Sequence, residues 1–193
     1  MPSFRPGPRP VYLFFHKPLD PPGIAAAPVL EVAPGCTLDL WRPRGSLRPP
    51  GFPARPFLAW GLFHHLHLFA SPDYRILAVR AEGALVHRTC LLPAHFRFPF
   101  MCPGDLQAAA LWTRPDCRGL GLGQRVLERA LSLCRRPDRM MWYMVREDNA
   151  ASIRLAEKAG FRLAGRGGKQ GLAYRIQQPA RWPASGEAVR AGD

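Results

Sequence analysis

The stretch that decides the fold runs from residue 106 to residue 134, LQAAALWTRPDCRGLGLGQRVLERALSLC. It joins an apolar run to an amphipathic one through Gly119, Gly121 and Gly123, each separated from the next by one leucine. Glycine weakens both helix and strand, so its repetition at such a junction needs a reason. Leu106 to Thr113 reads as a buried strand. Downstream, Val126, Leu127, Ala130, Leu131 and Cys134 recur at i, i+1, i+4, i+5 and i+8, with Arg125, Glu128, Arg129 and Arg135 opposite. That pattern predicts a helix with one buried face. The glycines therefore fall where a strand hands over to the first turn of a helix. There the leading N–H groups lack intrahelical partners and the macrodipole is positive. Glycine lets that backbone approach a bulky anion, which predicts a phosphate cradle with Arg118 and Arg125 near enough to add charge. A glycine-rich turn that merely packs is the alternative. The motif is neither a Walker loop, since no Lys-Ser/Thr follows the last glycine, nor a dinucleotide fingerprint, since the spacing differs and no acidic residue lies at the right place downstream.

Working outward, RMMWYMV at residues 139 to 145 is short and continuously apolar, as a strand covered on both faces would be. Strand, helix and strand in succession form a βαβ unit, with parallel strands and a right-handed crossover. Asn149 then caps a second helix to about Ala159, ended by Gly160. FRLAGR and LAYRIQ read as a closing antiparallel pair. Upstream, Tyr74 to Arg80 and Ala84 to Cys90 read as a hairpin joined at Glu82-Gly83, and residues 57 to 69 as a helix. Fourteen of the 22 prolines precede residue 57. We expect residues 1–56 to be extended chain wrapped on the core, with edge strands at Val11 to Phe15 and Thr37 to Trp41. The organisation is thus a proline-rich segment 1–56, a core domain 57–178 and a tail 179–193 expected to be mobile. No internal repeat is visible.

Composition bounds the function. With 193 residues, 47% of them hydrophobic, the chain can bury one sizeable core. No apolar run reaches the roughly 18 residues that a membrane helix needs. The longest candidate, FLAWGLFHHLHLF, carries three histidines, and VYLFF is shorter than a signal-peptide core. The expectation is a cytoplasmic protein. Cys36, Cys90, Cys102, Cys117 and Cys134 form no CxxC pair, so ordinary reduced thiols are expected. His64, His65 and His67 lack acidic or thiol companions at useful spacing, and no metal site is expected. The formal charge of +13, almost all arginine, suits polyanion binding or reflects base composition; charge alone does not choose.

The second constellation, NAASIRLAEKAGF, spans Asn149 to Phe161 directly after the second parallel strand. Strand, R-x-x-G-x-G, helix, strand, then N-x-x-S with Gly-Phe at residues 160 and 161, resembles the GNAT superfamily of acyl-CoA-dependent N-acetyltransferases over residues 74–178. The N-x-x-S form is similar to the ribosomal-protein alanine N-acetyltransferase branch. The resemblance implies a mixed α/β (α+β) fold: a central twisted mixed sheet with a splayed parallel strand pair and flanking helices. It implies acetyl-CoA as co-substrate, its pyrophosphate on the backbone of Arg118, Gly119, Leu120, Gly121, Leu122 and Gly123. The pantetheine arm would follow the strand end at Leu111, Trp112 and Thr113, with Asn149 and Ser152 close by. The thioester would lie in the splay, its carbonyl polarised by a backbone N–H.

Such chemistry asks for a base, because an amine of pKa near 10.4 must lose a proton before attack, and for donors to the oxyanion. Many relatives place an acidic tyrosine where this chain has Ala156. A thiol of pKa about 8.5 leaves acceptably as an anion, and Ser152 is the candidate acid; a hydroxyl bonded back within its own helix turn is the alternative. The strand 106 to 113 contains no carboxylate. Asp105, Glu147 and His95 remain as base candidates, set against readings as a turn residue, a solvated acid and a loop histidine. In the loop PAHFRFPFMCPGD, Arg97, Phe98 and Phe100 are expected either to form the acceptor pocket or to cap the sheet. Two functions follow. One is direct acetyl transfer to an amine of a small molecule or of a peptide or protein amino terminus. The other is an inactive basic module of the same fold binding RNA or another polyanion.

Overall fold

Alternating and amphipathic segments become eight strands and three α-helices in the computed structural model, which describes residues 10–19 and 32–180. The elements are β1 (Tyr12–Pro18), β2 (Cys36–Trp41), α1 (Phe57–His65), β3 (Arg75–Ala81), β4 (Ala84–Pro93), β5 (Leu106–Thr113), α2 (Leu122–Leu133), β6 (Met140–Arg146), α3 (Ala150–Lys158), β7 (Arg162–Gln170) and β8 (Ala173–Pro179). A short 3-10 turn, Pro115–Cys117, follows β5, where Pro115 makes the chain turn. All but two residues of the tail, and residues 1–9 and 20–31 of the proline-rich segment, lie outside the described residues.

The strands form one sheet in the order β2-β3-β4-β5-β6-β1-β7-β8. Every neighbouring pair is antiparallel except β5 and β6, which the crossover through α2 makes parallel. This is the mixed sheet with one parallel pair that the motifs imply. Leu122, Val126, Leu127, Ala130 and Leu131 bury the apolar stripe of α2 against one face of the sheet. Ala156, Ala159 and Phe161, from α3 and the turn after it, complete that core. On the other face α1 supplies Phe57, which packs with Phe52, Tyr74, Ile76, Cys90 and Leu92. Beside it the 93–105 loop lays Ala94, Phe98 and Met101 against Trp142, Met144 and Tyr174.

Two expectations need correction. The segment from Val11 was expected at an edge, but β1 lies inside the sheet, paired with β6 from Tyr12↔Arg146 to Pro18↔Met140 and with β7 on its other side. Both faces are covered there: Phe15 joins the α2–α3 core while Phe14 meets Phe100 edge-on at 5.2 Å between ring centres. The other expected edge strand, β2, does lie at the margin, paired with β3. The first helix stops at His65 rather than residue 69, because His67 takes a left-handed φ of 54° and turns the chain toward the sheet.

Candidate active site

The parallel strands β5 and β6 pair only from Leu106↔Met141 to Ala108↔Tyr143. Beyond that point they part, although β5 continues to Thr113 and β6 to Arg146. The divergence coincides with a bulge. Cys90 pairs with Ala109 and Arg88 with Trp112, so Thr89 on β4 faces two residues, Ala110 and Leu111, on β5. Ala110 carries the irregularity with a φ of 49°, a left-handed conformation that a β-carbon disfavours. The bulge also resets the alternation of side chains. Leu111 packs into the α2 core, whereas Ala109 and Ala110 pack on the α1 side. Trp112 also turns to the α1 side, with its ring under Arg88, so of this residue the backbone alone is left for the expected role along a pantetheine arm.

Past β5 the chain reaches the glycine loop at the C-terminal end of the parallel pair. Gly119 and Gly121 have φ of 80° and 76°, and Gly121 is the N-cap of α2 with no side chain capping it. Glycine is favoured at both, since a side chain there is strained. Among the described residues, the amides of Gly119, Leu120, Gly121, Leu122, Gly123 and Gln124 make no hydrogen bond. Open space surrounds a β-carbon built on Gly119, and Leu120 is 63% exposed. Six consecutive unpaired donors at the positive end of a helix form a cradle that fits a diphosphate. Gly123 has a different task. A β-carbon there would sit 3.5 Å from Leu155 and 3.7 Å from His87, ordinary contact distances, which places the first turn of α2 against α3 and β4. Arg118 donates to the Thr113 carbonyl at 3.3 Å and Arg125 to the Val32 carbonyl at 2.9 Å, which orients both guanidinium groups around the loop.

His87, under this loop, is enclosed by hydroxyls: Nδ1 lies 2.7 Å from Thr113 Oγ1 and Nε2 2.9 Å from Thr89 Oγ1. Burial, with help from the charge of Arg88, pushes its pKa down to about 4. It is a neutral strut joining β4 to the end of β5.

Across the splay, Asn149 caps α3 by accepting from the Ser152 amide at 3.1 Å. The Ser152 hydroxyl does not bond back into its own turn. It lies 2.6 Å from the hydroxyl of Tyr143, the last β6 residue paired with β5. Burial raises the Tyr143 pKa, with the Ser152 contact pulling the other way, so the phenol stays protonated. Its ring stands 5.7 Å from Phe161 in the core that also holds the fully buried Ala156. Sequence reasoning missed Tyr143, because inside RMMWYMV nothing distinguishes it from the apolar residues that carry the strand.

Asp105 is placed differently from its expected role. It is 1% exposed at the start of β5, the end away from the divergence. Oδ1 accepts from the Met140 amide at 3.0 Å, and Oδ2 accepts from the Cys102 amide at 2.8 Å and the Trp142 indole at 2.9 Å. A carboxylate so occupied ties the start of β5 to β6, with both oxygens already engaged. His95 is buried at the same end, its Nδ1 3.0 Å from the Pro93 carbonyl, and burial lowers its pKa. Glu147 follows β6 at the diverging end, exposed and ion-paired with Arg166 at 2.6 Å. Of the loop residues, Phe98 stacks on Tyr174 at 5.4 Å, Arg97 lies over the same ring at 5.7 Å, and Phe100 packs on Trp142 at 4.8 Å. Together they form an aromatic wall over β6 on the α1 side.

Known proteins bear on this geometry. A GNAT-family acetyltransferase structure from Novosphingobium aromaticivorans superposes with a TM-score of 0.50 at 18% identity, over 81% of this chain and 61% of its own. A GCN5-related N-acetyltransferase from Sphaerobacter thermophilus gives 0.51 at 17% identity, over 82% and 50%. The chain thus spans between half and three fifths of those proteins, and the likeness is one of fold. A ribosomal-protein-alanine N-acetyltransferase from Brucella melitensis biovar Abortus covers 78% of this chain and 99% of its own at 13% identity and a TM-score of 0.40, too slight to carry the branch suggested by N-x-x-S. None of the curated proteins matches the sequence. The sequence model of the acetyltransferase (GNAT) family matches residues 38–161, taking in both motifs, the splayed strands and the cradle, and the chain belongs to that family.

Proposed function

We propose that this protein is an N-acyltransferase that takes acetyl-CoA and passes its acetyl group directly to an amine of a small molecule or peptide. The observation that carries the reading is the row of unpaired amides from Gly119 to Gln124, opening α2 beside two strands that part. Acetyl-CoA would supply an activated acyl group, held by its diphosphate on the loop and by its arm along Leu111 to Thr113. Asn149 fixes the first turn of α3 so that Ser152 and Tyr143 face the splay from the far side. The amine nitrogen bonds to the acyl carbon as the carbon–sulfur bond breaks. Ser152 gives the leaving sulfur a proton and takes one from Tyr143. The amine's proton passes through water to Glu147, whose carboxylate is exposed at the diverging end. The aromatic wall of Arg97, Phe98 and Phe100 contributes to the acceptor side. Five cysteines without disulfides suit a reducing compartment such as the cytoplasm.

Calorimetry with acetyl-CoA on the wild type and on Gly121→Glu tests this reading. The wild type should bind, and the carboxylate, placed on the cradle, should abolish binding by bulk and repulsion while the fold persists by circular dichroism. Failure of the wild type to bind, together with a steeply salt-dependent affinity for RNA, would replace the enzyme with a polyanion-binding module.

A further inference from the structure

Arg88 stands on β4 directly across from Trp112. Its neighbours His87 and Thr89 point to the α2 side, where they share hydrogen bonds, so Arg88 points with Cys90 and Leu92 to the α1 side. There its guanidinium carbon lies 5.1 Å from the ring centre of Phe57, 5.1 Å from that of Trp112 and 5.8 Å from that of Phe52. Ring faces attract a cation but offer Nε no lone pair. Nε is buried and has no hydrogen-bond partner. Several other arginines among the described residues meet a carboxylate, among them Arg75 and Arg139 at Asp73, Arg80 at Asp39 and Arg166 at Glu147; the Arg139 Nε is also buried without a partner, but its Nη2 is paired with Asp73. Arg88 meets no carboxylate among the described residues, although burial disfavours its charge.

A half-buried guanidinium walled by aromatic rings, with an unused donor, is arranged for an anion that this chain does not supply. Its position says which. The phosphate cradle lies on the α2 side, and Arg88 lies on the opposite side of the same strand pair. On that same side, Ala109 and Ala110 of β5, just past the last residue paired with β6, have side chains that end at the β-carbon. A molecule held by Arg88 therefore reaches the parting of β5 and β6 from the face opposite the carrier. The Nε–Nη edge of a guanidinium matches the two oxygens of a carboxylate, charge for charge. Given the acyltransferase reading above, on which this rests, we infer that Arg88 is the anion subsite of the acceptor half of the cleft and that the acceptor is an amine that also bears a carboxylate.

The test is direct observation of the arginine. In protein labelled with nitrogen-15, the Arg88 Nε resonance is identified by its loss in Arg88→Lys, which keeps the charge and removes Nε. The free wild-type protein is titrated with N-acetylglycine, with N-acetylglycinamide and with inorganic phosphate at constant ionic strength. We expect a saturable shift with the carboxylate, at least tenfold weaker with the amide and with phosphate. Absence of that shift, an equal response to the amide, or tighter binding of phosphate overturns the inference. In turnover, amines bearing a carboxylate should exceed their carboxamides at least tenfold in kcat/KM, and Arg88→Met should erase the difference; equal rates in the wild type would count against it. Acetyl-CoA affinity should be the same in wild type and Arg88→Met. Loss of acetyl-CoA binding in the wild type would instead remove the acyltransferase reading, while the titration still decides whether Arg88 takes a carboxylate.

Discussion

The hydroxyl of Tyr143, midway along β6, lies 2.6 Å from the hydroxyl of Ser152 in the first turn of α3. The helix position from which many relatives present a tyrosine is Ala156 here, and it is fully buried. A phenol thus reaches the mouth of α3 from the strand below it. Tyr143→Phe is expected to lower kcat about tenfold to a hundredfold, toward the low end of what an acid contributes because a thiolate leaves readily. Calorimetry should find acetyl-CoA affinity unchanged. Burial raises the Tyr143 pKa above that of an ordinary phenol, so the alkaline fall in wild-type activity should lie at higher pH than the titration of a free tyrosine would place it.

The strut formed by His87 makes stability depend on acid. Its folded pKa of about 4 lies below the unfolded value of 6.5, so the stabilisation is present above pH 6.5 and is lost as pH falls toward 4. The difference amounts to roughly 3 kcal/mol at most. Urea unfolding at pH 7 and pH 4.5 should show the decline, and His87→Gln should flatten it. Because His87 lies against Gly123, acetyl-CoA affinity is expected to weaken over the same range.

Asp105 separates a clamp from a base. Asp105→Ala leaves three N–H groups without their acceptor and should cost about 2–4 kcal/mol, read as a fall in urea midpoint. The surviving folded fraction should keep its kcat. A stable Asp105→Ala protein with kcat reduced a hundredfold would return Asp105 to the chemistry.

Gly61 tests the seat of α1. A methyl built there would lie 1.8 Å from the Leu47 carbonyl oxygen. Alanine gains about 1 kcal/mol in a helix, whereas overpacking costs about 1–3 kcal/mol. The clash is expected to win, so Gly61→Ala should lower the urea midpoint, and an unchanged or raised midpoint would show that Leu47 yields freely.

What the sequence disclosed was set by the range of the forces involved. The run from β5 through α3 was legible because its signals are local: a period of 3.6 in α2, Asn149 as cap, Gly160 as stop and three glycines at one junction. The place of β1 was not, since pairing with β6 and β7 is a relation across the whole chain, and its proline-rich surroundings argued for the surface. The splay came from the family resemblance alone, because the bulge at Ala110 is borne by a residue that ordinarily avoids left-handed φ. Asp105, Tyr143 and Arg88 share one difficulty. Each is defined by what it meets across the sheet, and no spacing along the chain records that.

The interior position of β1 also bears on how the protein is made. Residues 12–18 leave the ribosome well before the two strands that flank them, 140–146 and 162–170. Throughout that interval Phe14 and Phe15 travel on a naked strand, with both edges able to pair with a stranger. The sheet closes by capturing an earlier-made strand between two later-made ones, so shelter of β1 by a chaperone until β6 and β7 emerge would raise the yield of folded protein.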